Sequence, residues 1–340
     1  KQMNEISPII KEKAPLILAE IQKAKSILLH CHPSPDPDSI GSALAMKFAL
    51  EQMGKKATVI KGDSEIPRAF MHFPGANEIV NKNFFEIDLE DFDLMIALDS
   101  ASPEMISRRG KVEFPESLKV IVIDHHMTNG GFGFIDLIEP SYPANCQVLF
   151  DLFHEWAVNI TPDIASNLFI GIYSDTGGLK YPSVTAHTYN IASRLVANIL
   201  DISKLILQAE YSNTPGFMAF ESIALGSIEL LCGGMFALSV VSNSTLKEKK
   251  ISATDVKTSE ISSFLLSVPE WEITASIVEI EPNKIKCSLR SSDHDKFDVS
   301  KLAILLGGGG HRVATGVILN MPLKEAKELV VEKIKSLYNI

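Results

Sequence analysis

Two histidines, two aspartates and three prolines crowd into His30-Cys31-His32-Pro33-Ser34-Pro35-Asp36-Pro37-Asp38-Ser39, directly after the apolar run Ile27-Leu28-Leu29. Other apolar runs also meet an acid or an imidazole where they end: Leu98-Asp99-Ser100, Ile123-Asp124-His125-His126 and Ser174-Asp175-Thr176-Gly177-Gly178. His32, Asp36, Asp38, Asp99, His125 and Asp175 thus offer oxygen and imidazole donors of the kind that hold Mg2+ or Mn2+. Their number suits two ions sharing one carboxylate better than a single ion. Two such ions, about 3.5–4 Å apart, can hold a hydroxide against a phosphoryl group. Phosphoester hydrolysis is the chemistry that fits best. A plainer reading of the first stretch, with Asp38 or Ser39 as a helix cap, explains one acid but not His32 and Asp36 as well.

The elements that must position these residues follow from periodicity. His32, Ser34 and Asp36 each precede a proline, which pushes them to extended backbone. Side chains two apart diverge in such a polyproline-like segment, so Asp36 and Asp38 are expected to address different ions. Residues 27–29, 57–60, 94–98 and 120–123 read as buried strands, and 42–53, 146–156, 164–173 and 185–200 as amphipathic helices. Their alternation predicts right-handed crossovers and a mostly parallel sheet, whose ligands gather at the carboxyl ends of the strands. The pattern loosens at a linker over 206–222, dividing a first domain (1–205) from a smaller α/β domain (223–340). In the latter, strands at 236–241, 272–280, 285–289 and 313–319 surround helices at 299–306 and 323–337.

The second domain carries its own candidate anion grip. Gly307-Gly308-Gly309-Gly310-His311-Arg312 follows a helical pattern, and glycines let backbone N–H groups approach a phosphate. Arg290 ends the strand at 285–289 and offers a second fork.

Composition narrows the class. The 340 residues are 46% hydrophobic and 22% charged, enough for two packed cores. A net charge of −10 with no basic block argues against binding long duplex nucleic acid, whereas a short anion can bind through local groups or metal ions. Cys31, Cys146, Cys232 and Cys287 are far apart, which suits a reducing compartment rather than a disulfide scaffold or zinc knuckle. No apolar stretch reaches the length of a membrane span, so a cytoplasmic protein is expected.

These motifs, in this order, resemble the DHH phosphoesterase superfamily and its two-domain oligoribonuclease and pAp phosphatase branch. The match rests on HPSPDPDSIGS at 32–42, LDS at 98–100, DHH at 124–126, SDTGGLKY at 174–181, SLRS at 288–291 and GGGH at 308–311. The resemblance implies a parallel-sheet DHH domain with flanking helices, a smaller C-terminal α/β domain and an active site in the interdomain cleft. It further implies that His32 and Asp36 hold one Mn2+ (Mg2+ as the alternative), that Asp38, His125 and Asp175 hold another, and that Asp99 bridges. By the same likeness, Asp124 orients the ligand histidine and His126 faces the reacting phosphate. Arg290, Gly308, Gly309, Gly310, His311 and Arg312 grip the rest of the substrate. The implied substrates are two- to five-nucleotide RNA, linear dinucleotides and pAp, and a homodimer is expected by resemblance alone. A cyclic-dinucleotide phosphodiesterase and a non-catalytic nucleotide-binding regulator are the competing expectations. Pro37 and Gln147 depart from the family pattern, which expects glycine and glutamate there.

Overall fold

The computed structural model describes residues 6–210, 213–257 and 261–340, without the side chains of Lys257, Gly310 and His311. The chain divides into two compact units, Lys1–Ser212 and Asn213–Ile340.

The first unit runs α1 (Pro8–Lys23), β1 (Ser26–His30), α2 (Pro37–Gln52), β2 (Lys56–Ile60), β3 (Leu94–Leu98), β4 (Lys119–Asp124), β5 (Ile135–Ile138), α3 (Asn145–Glu155), α4 (Pro162–Asp175), α5 (Ala186–Val196) and α6 (Ile202–Glu210). Its sheet has the order β2-β1-β3-β4-β5, and every neighbouring pair is parallel. Side chains alternate across a strand, so consecutive buried residues serve opposite faces. Ile27, Leu29, Ile96, Leu98, Ile121 and Ile123 pack under α1 to α5. Leu28, Met95, Ala97, Val120 and Val122 face the other way, onto Phe84, Ile106, Leu118 and Phe114. The helices therefore cover one face, and the connections 61–93 and 99–118, with short 3-10 turns, cover the other. This differs from an arrangement with helices on both sides. Each buried Leu or Ile contributes roughly 1.5–3 kcal/mol, so both faces are well secured.

Two glycines permit close approach around this sheet. A Cβ on Gly171 in α4 would lie 2.4 Å from Cys146 Sγ and 2.7 Å from Asp38 Oδ1. A Cβ on Gly62, just past β2, would lie 1.6 Å from the His32 carbonyl oxygen. Only hydrogen fits at either place.

The second unit runs α7 (Pro215–Gly226), β6 (Glu229–Leu231), β7 (Phe236–Val241), α8 (Asn243–Glu248), α9 (Ala253–Lys257), α10 (Ile261–Leu265), β8 (Ile273–Glu281), β9 (Lys284–Ser291), α11 (Val299–Leu305), β10 (Gly309–His311), β11 (Ala314–Asn320) and α12 (Leu323–Tyr338). Its sheet is mixed, in the order β10-β11-β9-β8-β7-β6, with β7 and β8 parallel and the other pairs antiparallel. The stretch 206–222, expected as a linker, contains the division between the two units after Ser212, along with the end of α6 and most of α7, whose first turn is capped by Thr214. Among the described residues, no helix is long and apolar enough to cross a membrane.

Candidate metal centre

Three adjacent parallel strands deliver chemistry to one edge of the first sheet. His32 stands just past β1, Asp99 directly follows β3, and His125 and His126 directly follow β4. The chain winds outward in opposite directions from β1 and β3, and open α/β sheets bind ligands at such a switch point. Helix α2 contributes Asp36 and Asp38 from its start, and α4 contributes Asp175 from its last position.

Locally the proline-rich stretch differs from expectation. Asp36 keeps the extended backbone required before a proline, but Pro37 is already the first residue of α2. The N-cap is Asp36, whose Oδ1 accepts the Ser39 N–H at 2.8 Å, so capping falls neither on Asp38 nor on Ser39. Asp38 instead serves a different helix. Its carboxylate accepts the N–H groups of Asn145 (2.6 Å) and Cys146 (2.9 Å), at the start of α3, where Ala144 supplies no side-chain cap. Asp36 and Asp38 are thus separated by two helix starts, not by a polyproline spacer.

The side chains converge closely. His32 Nδ1 lies 3.5 Å from Asp36 Oδ2, and His32 Nε2 lies 3.4 Å from Asp99 Oδ2. His125 Nε2 lies 3.3 Å from Asp99 Oδ1, 3.7 Å from Asp175 Oδ2 and 3.9 Å from Asp38 Oδ2. Two groupings, His32-Asp36-Asp99 and Asp38-His125-Asp175, each place their donor atoms within 4.8 Å of one another, and Asp99-His125-His126 forms a third. Asp99 stands between the first two, one oxygen toward each histidine. Its φ of 54° is a left-handed conformation that costs a non-glycine residue about 1–3 kcal/mol, an outlay typical of functional positions.

The electrostatics call for cations. Among the described residues, Asp36, Asp38, Asp99 and Asp175 have no lysine or arginine partner; only histidines face them. Burial, reinforced by the Asp38 charge, pushes the Asp99 carboxyl well above its ordinary range. Burial and the charges of Asp38 and Asp36 push Asp175 up to about 8. For His32 burial acts downward, but the Asp36 hydrogen bond and the Asp99 charge outweigh it and raise the imidazole to about 9. Among the described residues, Asp99 Oδ1 and His125 Nε2 are buried without a hydrogen-bond partner. Such orphans are rare, and two of them aimed at each other across 3.3 Å fit a divalent cation as the missing partner. Hard oxygens with imidazoles are suitable donors for Mn2+ or Mg2+.

Comparison with known proteins agrees with this geometry. Residues 26–172 match the DHH family, N-terminal domain. The first unit carries a DHH-family domain. A bifunctional oligoribonuclease and PAP phosphatase of Thermus thermophilus is 28% identical over 338 residues, covering 98% of this chain and 96% of its own. Its namesake in Bacillus subtilis is 25% identical, covering 88% of this chain and 91% of its own. An exopolyphosphatase-related protein from Bacteroides fragilis, 22% identical, superimposes with a TM-score of 0.84 over 97% of this chain and 98% of that one. The last likeness concerns the fold.

Within the DHH domain the triplet is wired differently from expectation. Asp124 Oδ1 lies 2.7 Å from Nδ1 of His126, whereas Nδ1 of His125 meets the Tyr142 carbonyl at 3.2 Å. Asp124 therefore orients His126, and the backbone at Tyr142 orients the candidate ligand His125. Asn129 Nδ2 donates to Asp124 Oδ2 (2.7 Å) and to the Ser100 carbonyl (3.0 Å), tying the triplet to the Asp99 turn. Burial acts upward on Asp124, but hydrogen bonds from His126 and Asn129 hold its carboxyl below the ordinary range. Sequence reasoning missed Tyr142, Asn129 and Asn145. Only Asn145, inside the small-residue patch after β5, had any local signal.

Outside the DHH domain, the second-unit candidates have definite structural employment. Arg290 donates from Nε to Ser263 Oγ at 2.9 Å. Arg312 pairs with Asp295 and Asp298, each at 3.1 Å, and donates to the His294 carbonyl. Gly307, at φ 78°, ends α11, while a Cβ on Gly308 would lie 2.6 Å from the Gly316 carbonyl oxygen. Gly309 pairs with Gly316 in the β10–β11 ladder. Gly310 pairs with Thr315 and His311 with Ala314 in the same ladder, and the His311 side chain falls outside the described residues.

Proposed function

We propose that this protein is a two-metal hydrolase of phosphoester bonds in very short RNA, linear dinucleotides and pAp. The observation that carries the reading is the pair of orphaned buried atoms, Asp99 Oδ1 and His125 Nε2, set among four carboxylates that have no lysine or arginine partner among the described residues. The likeness to oligoribonuclease and PAP phosphatase proteins supports the substrate class.

His32, Asp36 and Asp99 would hold one ion, and Asp38, His125 and Asp175 the other, with Asp99 shared. Bound there, divalent ions polarise phosphoryl oxygens and acidify water; Mn2+ is the ion we favour for a site with two imidazoles. The Asp124 carboxylate can only accept, so His126 Nδ1 is the donor between them. That leaves Nε2 of His126 to carry the mobile proton, and an imidazolium there can stabilise phosphoryl charge or protonate the leaving oxygen. Asn129 keeps Asp124 from rotating away. We assign Arg290, Gly308, Gly309, Gly310, His311 and Arg312 to gripping the remaining substrate groups, with Arg312 sharing its fork with Asp295 and Asp298. Cys31, Cys146 and Cys287 are free buried thiols, which supports a reducing, cytoplasmic setting.

The test is a panel of di- to pentaribonucleotides, pAp, cyclic dinucleotides and pyrophosphate, incubated with Mn2+ or Mg2+. Release of mononucleotides from the short RNAs and of phosphate from pAp is expected, and loss of both in Asp99→Ala. Turnover of cyclic dinucleotides alone would replace this reading, and turnover of nothing would remove it.

A further inference from the structure

Away from the sheet edge, the first unit has an open pocket of about 340 Å3 between α1, α3 and α5. Its wall includes Lys11 from α1, Asp151 and His154 from α3, and His187, Asn190 and Arg194 from α5. The α5 residues are spaced by three and four positions, so they present one helical face. The pocket's volume falls in the range of small-ligand sites.

The lining is arranged for an anion. Lys11, His154, Asn190 and Arg194 have no side-chain hydrogen bond or ion pair among the described residues. The Arg194 guanidinium is held over the Phe150 ring at 4.9 Å, which limits the freedom it would lose on gripping a ligand. The wall's acid, Asp151, is buried and already engaged: its Oδ2 accepts from Tyr142 Oη at 2.6 Å and lies 2.7 Å from His187 Nε2. With Oδ2 doubly engaged, the wall still offers a ligand the Lys11 ammonium and the Arg194 guanidinium, which can only donate, beside the Asn190 amide and the His154 imidazole, which can donate as well as accept. A guanidinium and an ammonium beside the His154 imidazole match a dianion better than a single carboxylate.

We propose that this pocket is a second ligand site, which binds a small phosphomonoester dianion. Its occupant would also be connected to the metal centre. His187, Asp151 and Tyr142 form a continuous chain, and the Tyr142 carbonyl meets His125 Nδ1. No part of this reading depends on which phosphoester the enzyme cleaves.

Calorimetric titration of the full chain, and of an Asp99→Asn variant that disables the metal centre, tests it with AMP, ribose 5-phosphate and inorganic phosphate. Saturable binding at about 1 mM or tighter is expected in both proteins for at least one organic phosphate. AMP alone would identify a nucleotide site; equal binding of ribose 5-phosphate would identify a general sugar-phosphate site. Arg194→Gln and Lys11→Ala, both at exposed positions, should each weaken binding roughly tenfold. Binding that vanishes in Asp99→Asn, that survives both pocket substitutions unchanged, or that is seen only with inorganic phosphate would overturn the proposal, as would no saturable heat at all.

Discussion

Asp124 holds His126, not His125: its Oδ1 sits 2.7 Å from His126 Nδ1. The two histidines of the triplet therefore answer to different supports, and their functions should separate on substitution. Asp124→Asn should lower kcat by about 10²–10⁴-fold, because a misoriented imidazole no longer delivers its proton. Metal affinity, measured by calorimetry, should stay near that of the parent. A large loss of metal binding would mean that Asp124 serves the ions directly.

Asn129 acts one step further out, through Asp124 and the Ser100 carbonyl. Asn129→Ala should cost about 10–100-fold in turnover. Combined with Asp124→Asn it should add little further loss, since both act on the same imidazole. Full multiplicative loss in steady-state kinetics would show two independent roles.

Crowding four carboxylates makes the metal-free protein pay for its site. Asp99→Asn should abolish binding of at least one ion and yet raise the melting temperature of chelator-treated protein, by about 2–4 °C per kcal/mol of relieved burial. Differential scanning calorimetry with and without Mn2+ gives both readings. A lowered metal-free melting temperature would show that Asp99 stabilises the fold by contacts rather than straining it by charge.

Gly171 offers a steric test of the same centre. In Gly171→Ala the new methyl would meet Cys146 Sγ and Asp38 Oδ1, so overpacking of about 1–3 kcal/mol and weaker metal binding are expected. Gly130→Ala, which meets nothing within 4 Å, is the control. Equal melting temperatures and metal titrations for the two variants would contradict the close approach of α4.

The prolines have a humbler part than the sequence implies. Pro37 is the first residue of α2 and Asp36 its cap, so Pro37→Ala should cost about 0.4–1 kcal/mol of stability and leave metal affinity intact. A weakened titration at unchanged stability would restore the reading of prolines as spacers between ligands.

What could be seen without coordinates was what is local. The runs ending at Leu29, Leu98 and Ile123 are apolar, short and flanked by chemistry, so strand, burial and site edge are legible together. The same holds for α11 and α12. Less legible was β5, because only Leu137 of its residues is fully buried. The assignment of Asp124 to His126 was beyond reach for a different reason. Two adjacent histidines leaving a strand look alike in sequence, and a backbone carbonyl at Tyr142 decides between them. The Asp38 cap on α3 spans more than a hundred residues and leaves no periodic trace.

The candidate ligands are scattered from His32 to Asp175, one strand exit or helix end at a time, and the donor atoms meet only when β1, β3, β4, α2 and α4 are all in register. The ion assigned to Asp38, His125 and Asp175 therefore has no complete site until α4 is made. During synthesis, capture of the second ion has to wait until Asp175 has emerged, and from that moment ligand linkage favours the finished sheet over every partly paired competitor. Metal uptake is then a clock for the completion of the first unit: its rate, followed by stopped-flow refolding, reports the last long-range pairing rather than the chemistry of coordination.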